Sequence, residues 1–222
     1  MISSARSSSE WRLYVIVDVA ACAGRDPAQV AAAAVRGGAD VIQLRDKAAS
    51  GRALHERAKR LLAVTQPAGI PLIVNDRADV AAAVGADGVH LGQDDLPLAA
   101  ARALLGAGRL IGKSTHSLEQ ALAAQAEGAN YLGCGPVFPT PTKPDYPSVG
   151  VSLLREVVSH ISLPVVCIGG IDSSTLESVL QAGGRCVAVV RAVCAAPDPE
   201  SATRQFKEEI VQFLSTSPSR NL

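Results

Sequence analysis

Short apolar runs recur along the whole chain and never settle into polar alternation. They predict strands at Leu13–Val17, Val41–Leu44, Leu72–Asn75, Gly88–Leu91, Leu110–Ser114, Tyr131–Gly133, Val165–Ile168 and Cys186–Val190. Continuous apolar runs suit parallel strands covered on both faces, whereas a half-exposed sheet alternates apolar with polar residues. Between them, alanine- and leucine-rich segments predict helices at Pro27–Arg36, Gly51–Thr65, Ala78–Val84, Pro97–Leu105, Leu118–Glu127, Ser152–Ser159, Thr175–Ala182 and Pro199–Ser215. Gly38-Ala39-Asp40, Gly85-Ala86-Asp87 and Gly128-Ala129-Asn130 each stand between a helix and the next strand. A glycine there can close the helix in a left-handed conformation. The class is α/β, and eight β/α units in this length predict a single (β/α)8 TIM barrel. A doubly wound open sheet is the alternative. It calls for a Gly-x-Gly-x-x-Gly fingerprint after the first strand, which is absent.

Composition narrows the picture. The 222 residues are 48% hydrophobic and 19% charged, enough apolar content for a core that needs no disulfide or structural metal. Lysine plus arginine (21) balances aspartate plus glutamate (21). Neutrality counts against nucleic acid as a partner, although a local cluster can still hold a small anion. The five cysteines, Cys22, Cys134, Cys167, Cys186 and Cys194, are odd in number and contain no Cys-x-x-Cys pair. They argue against a disulfide framework or zinc site and suit reduced thiols in a cytoplasmic protein. No apolar stretch reaches the roughly 18 residues of a membrane span, so no membrane partner is expected. The serine-rich start lacks the apolar core of a signal peptide. The expected organisation is a tail at 1–10, a barrel at 11–216 and a tail at 217–222.

In a barrel of this kind the chemistry gathers where strands end. The second strand runs into Gln43-Leu44-Arg45-Asp46-Lys47, the third ends in Asn75-Asp76-Arg77, and the fourth leads to Gln93-Asp94-Asp95. The fifth ends in Lys113-Ser114-Thr115-His116, and the sixth enters a proline- and threonine-rich connection containing Thr140-Pro141-Thr142-Lys143. Gly169-Gly170 follows the seventh strand, and Val190-Arg191 ends the eighth. The opposite face carries little beyond glycine, alanine and single charges. Asp76 and Asp95 stand at the ends of adjacent strands, where two carboxylates can share a Mg²⁺; alternatively each caps the next helix or pairs with Arg77. Arg45, Lys47 and Lys143 are cations suited to phosphate, or else a solvated rim. The Gly169-Gly170 backbone can hold a phosphate, or simply make a tight turn. His90 lies within an apolar strand and reads as a satisfied core histidine. His116 is the better site candidate, and Cys134 reads as an inert thiol. Together these residues point to a barrel enzyme for phosphorylated small molecules.

The same residues resemble the thiamine-phosphate synthase family from about Leu13 to Phe213. The resemblance rests on Gln43-x-Arg45-x-Lys47, Asn75-Asp76-Arg77, Gly88-Val-His-Leu-Gly-Gln-x-Asp95, Gly112-x-Ser114-Thr-His116, the string from Gly135 to Asp145, and Gly169-Gly-Ile171. It implies an enzyme that joins a hydroxymethylpyrimidine diphosphate to a thiazole phosphate, releasing pyrophosphate. The implied partners are these two phosphorylated small molecules, with a homo-oligomer left open. Carried over motif by motif, Gln43, Leu44, Arg45, Asp46, Lys47, Asn75, Ser114 and Lys143 would bind the pyrimidine diphosphate, with Arg45, Lys47, Ser114 and Lys143 acting in catalysis. Thr140, Pro141, Thr142, Gly170, Val190 and Arg191 would line the thiazole phosphate site. Asp76 and Asp95 would hold one Mg²⁺ per subunit. The chain departs from the family pattern at Arg191, where serine is usual, and at Lys113, where a small apolar residue is usual. A thiazole tautomerase, for which His116 speaks, and a non-catalytic phosphate-binding barrel are the alternatives.

Overall fold

The strands begin apolar on both faces, and the three-dimensional structure, a computed structural model, divides those faces between two cores. It describes residues 8–142 and 147–216. Eight parallel strands close into a barrel in chain order: β1 (Leu13–Asp18), β2 (Val41–Arg45), β3 (Leu72–Asn75), β4 (Gly88–Leu91), β5 (Leu110–Thr115), β6 (Tyr131–Cys134), β7 (Val165–Ile168) and β8 (Cys186–Val189). β1 pairs with β2 through Val15↔Ile42 and with β8 through Tyr14↔Ala188. That closure establishes the TIM barrel and excludes the open doubly wound sheet.

Around the barrel lie α1 (Pro27–Arg36), α2 (Gly51–Thr65), α3 (Ala78–Val84), α4 (Leu98–Leu105), α5 (Leu118–Ala126), α6 (Gly150–His160), α7 (Leu176–Gln181), α8 (Arg191–Cys194) and α9 (Pro199–Thr216). Side chains such as Leu13, Val15, Leu44, Val74 and Val89 pack outward beneath them. Tyr14, Ile16, Val41, Ile73, Tyr131, Val166 and Ala188 fill the inside, over Trp11. Trp11 stacks edge-on against Tyr14 and Tyr131, at centroid distances of 6.1 and 5.4 Å, and plugs the bottom of the barrel. Along each of β1 to β5 the inward side chains change from apolar or glycine near the start to polar near the end: Ile16 to Asp18, Val41 to Gln43 and Arg45, Ile73 to Asn75, Gly88 to His90, Gly112 to Ser114. The polar layer is therefore held over an apolar floor.

The helix-to-strand turns behave as their glycines predict, with φ of +96° at Gly38, +72° at Gly85 and +87° at Gly128. Their third residues do more. Asp40 accepts from Leu13 N at 3.0 Å, Asp87 from Leu72 N at 2.8 Å and Asn130 from Ile111 N at 2.8 Å, so each ties the start of the preceding strand.

Most strand and helix ends fall within a residue or two of the sequence pattern. β8 ends at Val189, one residue before the expected end, because Val190 turns out of the ladder (φ −118°, ψ −85°) to cap α8. α8 itself has no counterpart in the sequence reading, since four residues are too few to show a helical period. Of the expected tails, 1–7 and 217–222 lie outside the described residues, while Ser8–Glu10 forms a turn of 3-10 helix. All five cysteines are buried free thiols, and burial pushes Cys134 up to about 11. Among the described residues no helix is long and apolar enough to cross a membrane.

Candidate active site

A cavity of about 500 Å³ opens at the carboxyl ends of the strands. Gln43, Arg45, Asn75, Ser114 and His116 line one side; Thr140, Pro141, Thr142, Gly170, Val190 and Arg191 line the other. The two sets come from opposite arcs of the barrel, β2 to β5 and the loops after β6 to β8.

The segment after β2 divides by strand periodicity. Gln43 and Arg45 point inward. Leu44 is fully buried between barrel and helices, and Asp46 turns to an ion pair with Arg57 of α2, so neither side chain faces the cavity. Arg45 is held by an ion pair with Asp18, whose side chain is only 5% exposed. Asp18 is absent from the sequence reading because the first strand was expected to stop one residue earlier. Its signal would have been the ladder itself, which sets Asp18 opposite Arg45.

Lys47 reaches across to pair with Asp76. Asp76 adopts φ +62°, a left-handed conformation that costs a non-glycine residue about 1–3 kcal/mol unless its surroundings enforce it. Here the backbone is pinned by Asp76 N donating to His90 O at 2.8 Å, and Arg77 N to Asn75 O at 2.8 Å. Asp76 and Asp95 lie within hydrogen-bond reach of each other. Burial pushes the Asp76 carboxyl above the usual carboxylate range, against the pull of Lys47. Burial also opposes ionisation of Asp95. The bond to Asp76, the Gly92 N–H at 2.6 Å and the charges of Lys47 and Lys113 nevertheless hold it below that range. Two carboxyls that act on each other in this way are like charges held side by side. The bland alternatives fail: Arg77 pairs with Asp79 at 2.6 Å, and neither α3 nor α4 has a side-chain cap.

Two carboxylates held side by side fit a hard divalent cation, which commonly takes one or two protein carboxylates and completes its shell from phosphate and water. Among the described residues no three His, Cys, Asp or Glu side chains gather into a site complete in itself. Lys113, 9% exposed, points outward from β5 and donates to Gly92 O at 2.7 Å, bracing the loop that carries Asp95.

Gly169 and Gly170 have φ of +103° and +62°. A Cβ at Gly170 would lie 2.5 Å from Pro139 O, and one at Gly169 would lie 2.4 Å from Pro136 Cα. Bare backbone at this turn lets the loop after β7 press against the loop after β6 while keeping its own face on the cavity. His116 donates its Nδ1–H to the Gly135 carbonyl. Lys143 lies outside the described residues. The barrel interior adds three residues that sequence reasoning assigned no site role: Tyr14, His90 and Tyr131, all lining the cavity. Burial raises both phenols well above their ordinary acidity range, so they stay protonated.

Comparison with known proteins gives one consistent family. Residues 13–193 match the family model described as thiamine monophosphate synthase. The chain is 50% identical over 199 residues to the thiamine-phosphate synthase of Chloroflexus aurantiacus, covering 89% of this chain and 92% of that one. It is 50% identical over 196 residues to that of Azorhizobium caulinodans, covering 88% and 92%. Among solved structures, a thiamine phosphate pyrophosphorylase from Pyrococcus furiosus superposes with a TM-score of 0.86 at 38% identity, covering 93% of this chain and 98% of that one.

Proposed function

The chain belongs to the thiamine monophosphate synthase family, and from that premise we propose that it makes thiamine phosphate by joining 4-amino-2-methyl-5-(diphosphooxymethyl)pyrimidine to 4-methyl-5-(2-phosphooxyethyl)thiazole, with release of pyrophosphate. The observation that carries this reading is the two-sided cavity. One wall presents Gln43, Arg45, Asn75 and Ser114 beside the Asp76–Asp95 pair, and the other presents Thr140 to Thr142, Gly170 and Arg191. A single phosphorylated substrate would need only one of these walls.

In this reaction the diphosphate departs, leaving a methylene cation stabilised by the aminopyrimidine, and the thiazole nitrogen then bonds to that carbon. Negative charge grows on the departing group, so pre-placed cations and hydrogen-bond donors supply the stabilisation. Arg45 and Lys47 take the diphosphate, Asn75 and Ser114 orient the pyrimidine half, and Lys143 is assigned to the diphosphate by its motif alone. Gln43 meets the ring. Leu44 and Asp46 act only through backbone. Asp76 and Asp95 would hold Mg²⁺, which when bound neutralises part of the diphosphate charge. The opposite wall takes the thiazole phosphate through Thr140, Thr142, the Gly170 backbone and Arg191, with Pro141 and Val190 shaping it. Holding both substrates in one cavity removes much of the entropy cost of their meeting. No side chain needs to remove a proton before the C–N bond forms.

The test is a coupled-product assay with both substrates and Mg²⁺. Thiamine phosphate and pyrophosphate are expected in equal amounts. Neither product at high enzyme concentration would overturn the reading, and thiazole isomerisation alone would replace it with the tautomerase.

A further inference from the structure

Five side chains inside the barrel form one line of hydrogen bonds. Gln43 Nε2 donates to the Tyr14 hydroxyl at 2.7 Å, and the Tyr14 and Tyr131 hydroxyls meet at 3.0 Å. The Tyr131 hydroxyl meets His90 Nδ1 at 3.2 Å, and His90 Nε2 meets Ser114 Oγ at 2.9 Å. The line runs from β2 through β1, β6 and β4 to β5, and its two ends, Gln43 and Ser114, both face the cavity. Local packing is arranged around it. A Cβ on Gly112 would lie 2.2 Å from Tyr131 Cζ and 2.5 Å from His90 Nδ1, and one on Gly133 would lie 3.1 Å from His90 Cε1. The glycines of β5 and β6 thus leave the room in which Tyr131 and His90 meet.

Counting protons gives the line a direction. An amide nitrogen can only donate, and each phenol has a single proton. Tyr14 accepts from Gln43, so its proton goes to Tyr131. Tyr131 then gives its proton to His90 Nδ1. An accepting Nδ1 places the ring proton on Nε2, which donates to Ser114 Oγ. The serine keeps its own proton for the cavity, while Gln43 keeps its Oε1 as an acceptor.

We propose that Tyr14, Tyr131 and His90 are positioning residues that form a one-way hydrogen-bond relay, fixing His90 as the Nε2–H tautomer and presenting Ser114 to the pyrimidine substrate as a donor. The relay gives the cavity floor an acceptor at one end and a donor at the other. An aminopyrimidine offers the complement, an exocyclic N–H and a ring-nitrogen acceptor. This consequence for catalysis rests on the reaction proposed above, whereas the tautomer is a property of the free protein.

Nitrogen-15 NMR of the full-length enzyme without substrate reads the tautomer directly. A pyrrole-type Nε2 and a pyridine-type Nδ1 are expected at His90. The opposite assignment means that the line runs from Ser114 to Gln43 and overturns the proposal. Tyr14→Phe cuts the line at its second member, and the His90 nitrogen signals should move toward a mixture of tautomers; unchanged signals would show that Gln43 does not set the direction. In turnover, Tyr14→Phe should lower kcat/KM for the pyrimidine diphosphate about tenfold, the scale of one misdirected hydrogen bond. Tyr131→Phe spares the Gln43–Tyr14 bond, and in a Ser114→Ala background it should cause no further loss, because that half of the relay acts through Ser114. Additive losses would assign Tyr131 a merely structural role and defeat the proposal. A wild-type enzyme with the expected tautomer but no coupled product would instead overturn the reaction and leave the relay standing.

Discussion

Asp18 shows how a residue can matter to the site without touching a ligand. Its carboxylate ends β1, pairs with Arg45 and also accepts from Ala20 N at 3.0 Å, so one side chain both starts a turn and aims a guanidinium. Removing the charge of a buried pair leaves the other partner uncompensated. Asp18→Asn keeps the shape and should cost about 1–3 kcal/mol in denaturant unfolding. It should also raise KM for the pyrimidine diphosphate while leaving that for the thiazole phosphate unchanged. Arg191 gives the mirror-image case. It opens α8 on the opposite wall and is exposed. Arg191→Ser should change KM for the thiazole phosphate more than for the diphosphate; equal changes in both would remove Arg191 from that subsite. At this scale the inward residues were legible in the sequence wherever a polar group ended an apolar run, as with Gln43, Arg45, Asn75 and Ser114. Leu44 and Asp46 were not separated from them, because a motif names a whole string while the strand turns alternate members away. Asp18 and Tyr131 were not legible, because each acquires its role from a partner on another strand.

The elements were legible because each one repeats the same local problem. A helix must end, the chain must reverse, and the next strand must begin in register. Glycine with positive φ solves the first part at Gly38, Gly85 and Gly128. The residue two positions later solves the last, since its side-chain oxygen takes an amide at the start of a neighbouring strand that would otherwise be buried without a partner. Asp87 is the cleanest instance. Asp87→Ala leaves Leu72 N unsatisfied and should lower stability by about 1–3 kcal/mol. Asp87→Asn should restore most of it, because Asn130 does the same work through an amide oxygen. Equal losses in the two variants would place the effect in charge rather than in the hydrogen bond. The one-turn α8 escaped the sequence pattern for the reverse reason. It repeats nothing and is fixed by tertiary contacts, with Arg25 Nη1 reaching the Cys194 carbonyl at 3.1 Å.

For the whole molecule, the balanced charge of the sequence conceals a separation in space. Arg45, Lys47 and Arg191 stand around one mouth of the barrel together with Asp76 and Asp95, while the barrel itself closes by backbone pairing and two apolar cores. Under the proposed assignment of Mg²⁺ to Asp76 and Asp95, folding and metal binding are separable. Asp76 and Asp95 are placed by a backbone bond, Asp76 N to His90 O, and by Gly92 N donating to the Asp95 carboxylate, neither of which involves a metal ion. Chelation should accordingly abolish coupled-product formation while unfolding stays cooperative and circular dichroism is unchanged. A cation that binds only the folded chain stabilises it in proportion to the logarithm of its concentration. Adding Mg²⁺ back without substrates should thus raise Tm by a few degrees in the wild type. Asp76→Asn should cancel that rise, because it removes one carboxylate and the repulsion a cation would relieve. Loss of secondary structure on chelation would instead make the metal part of the fold. A Mg²⁺-dependent Tm shift that survives Asp76→Asn would place the cation elsewhere on the molecule.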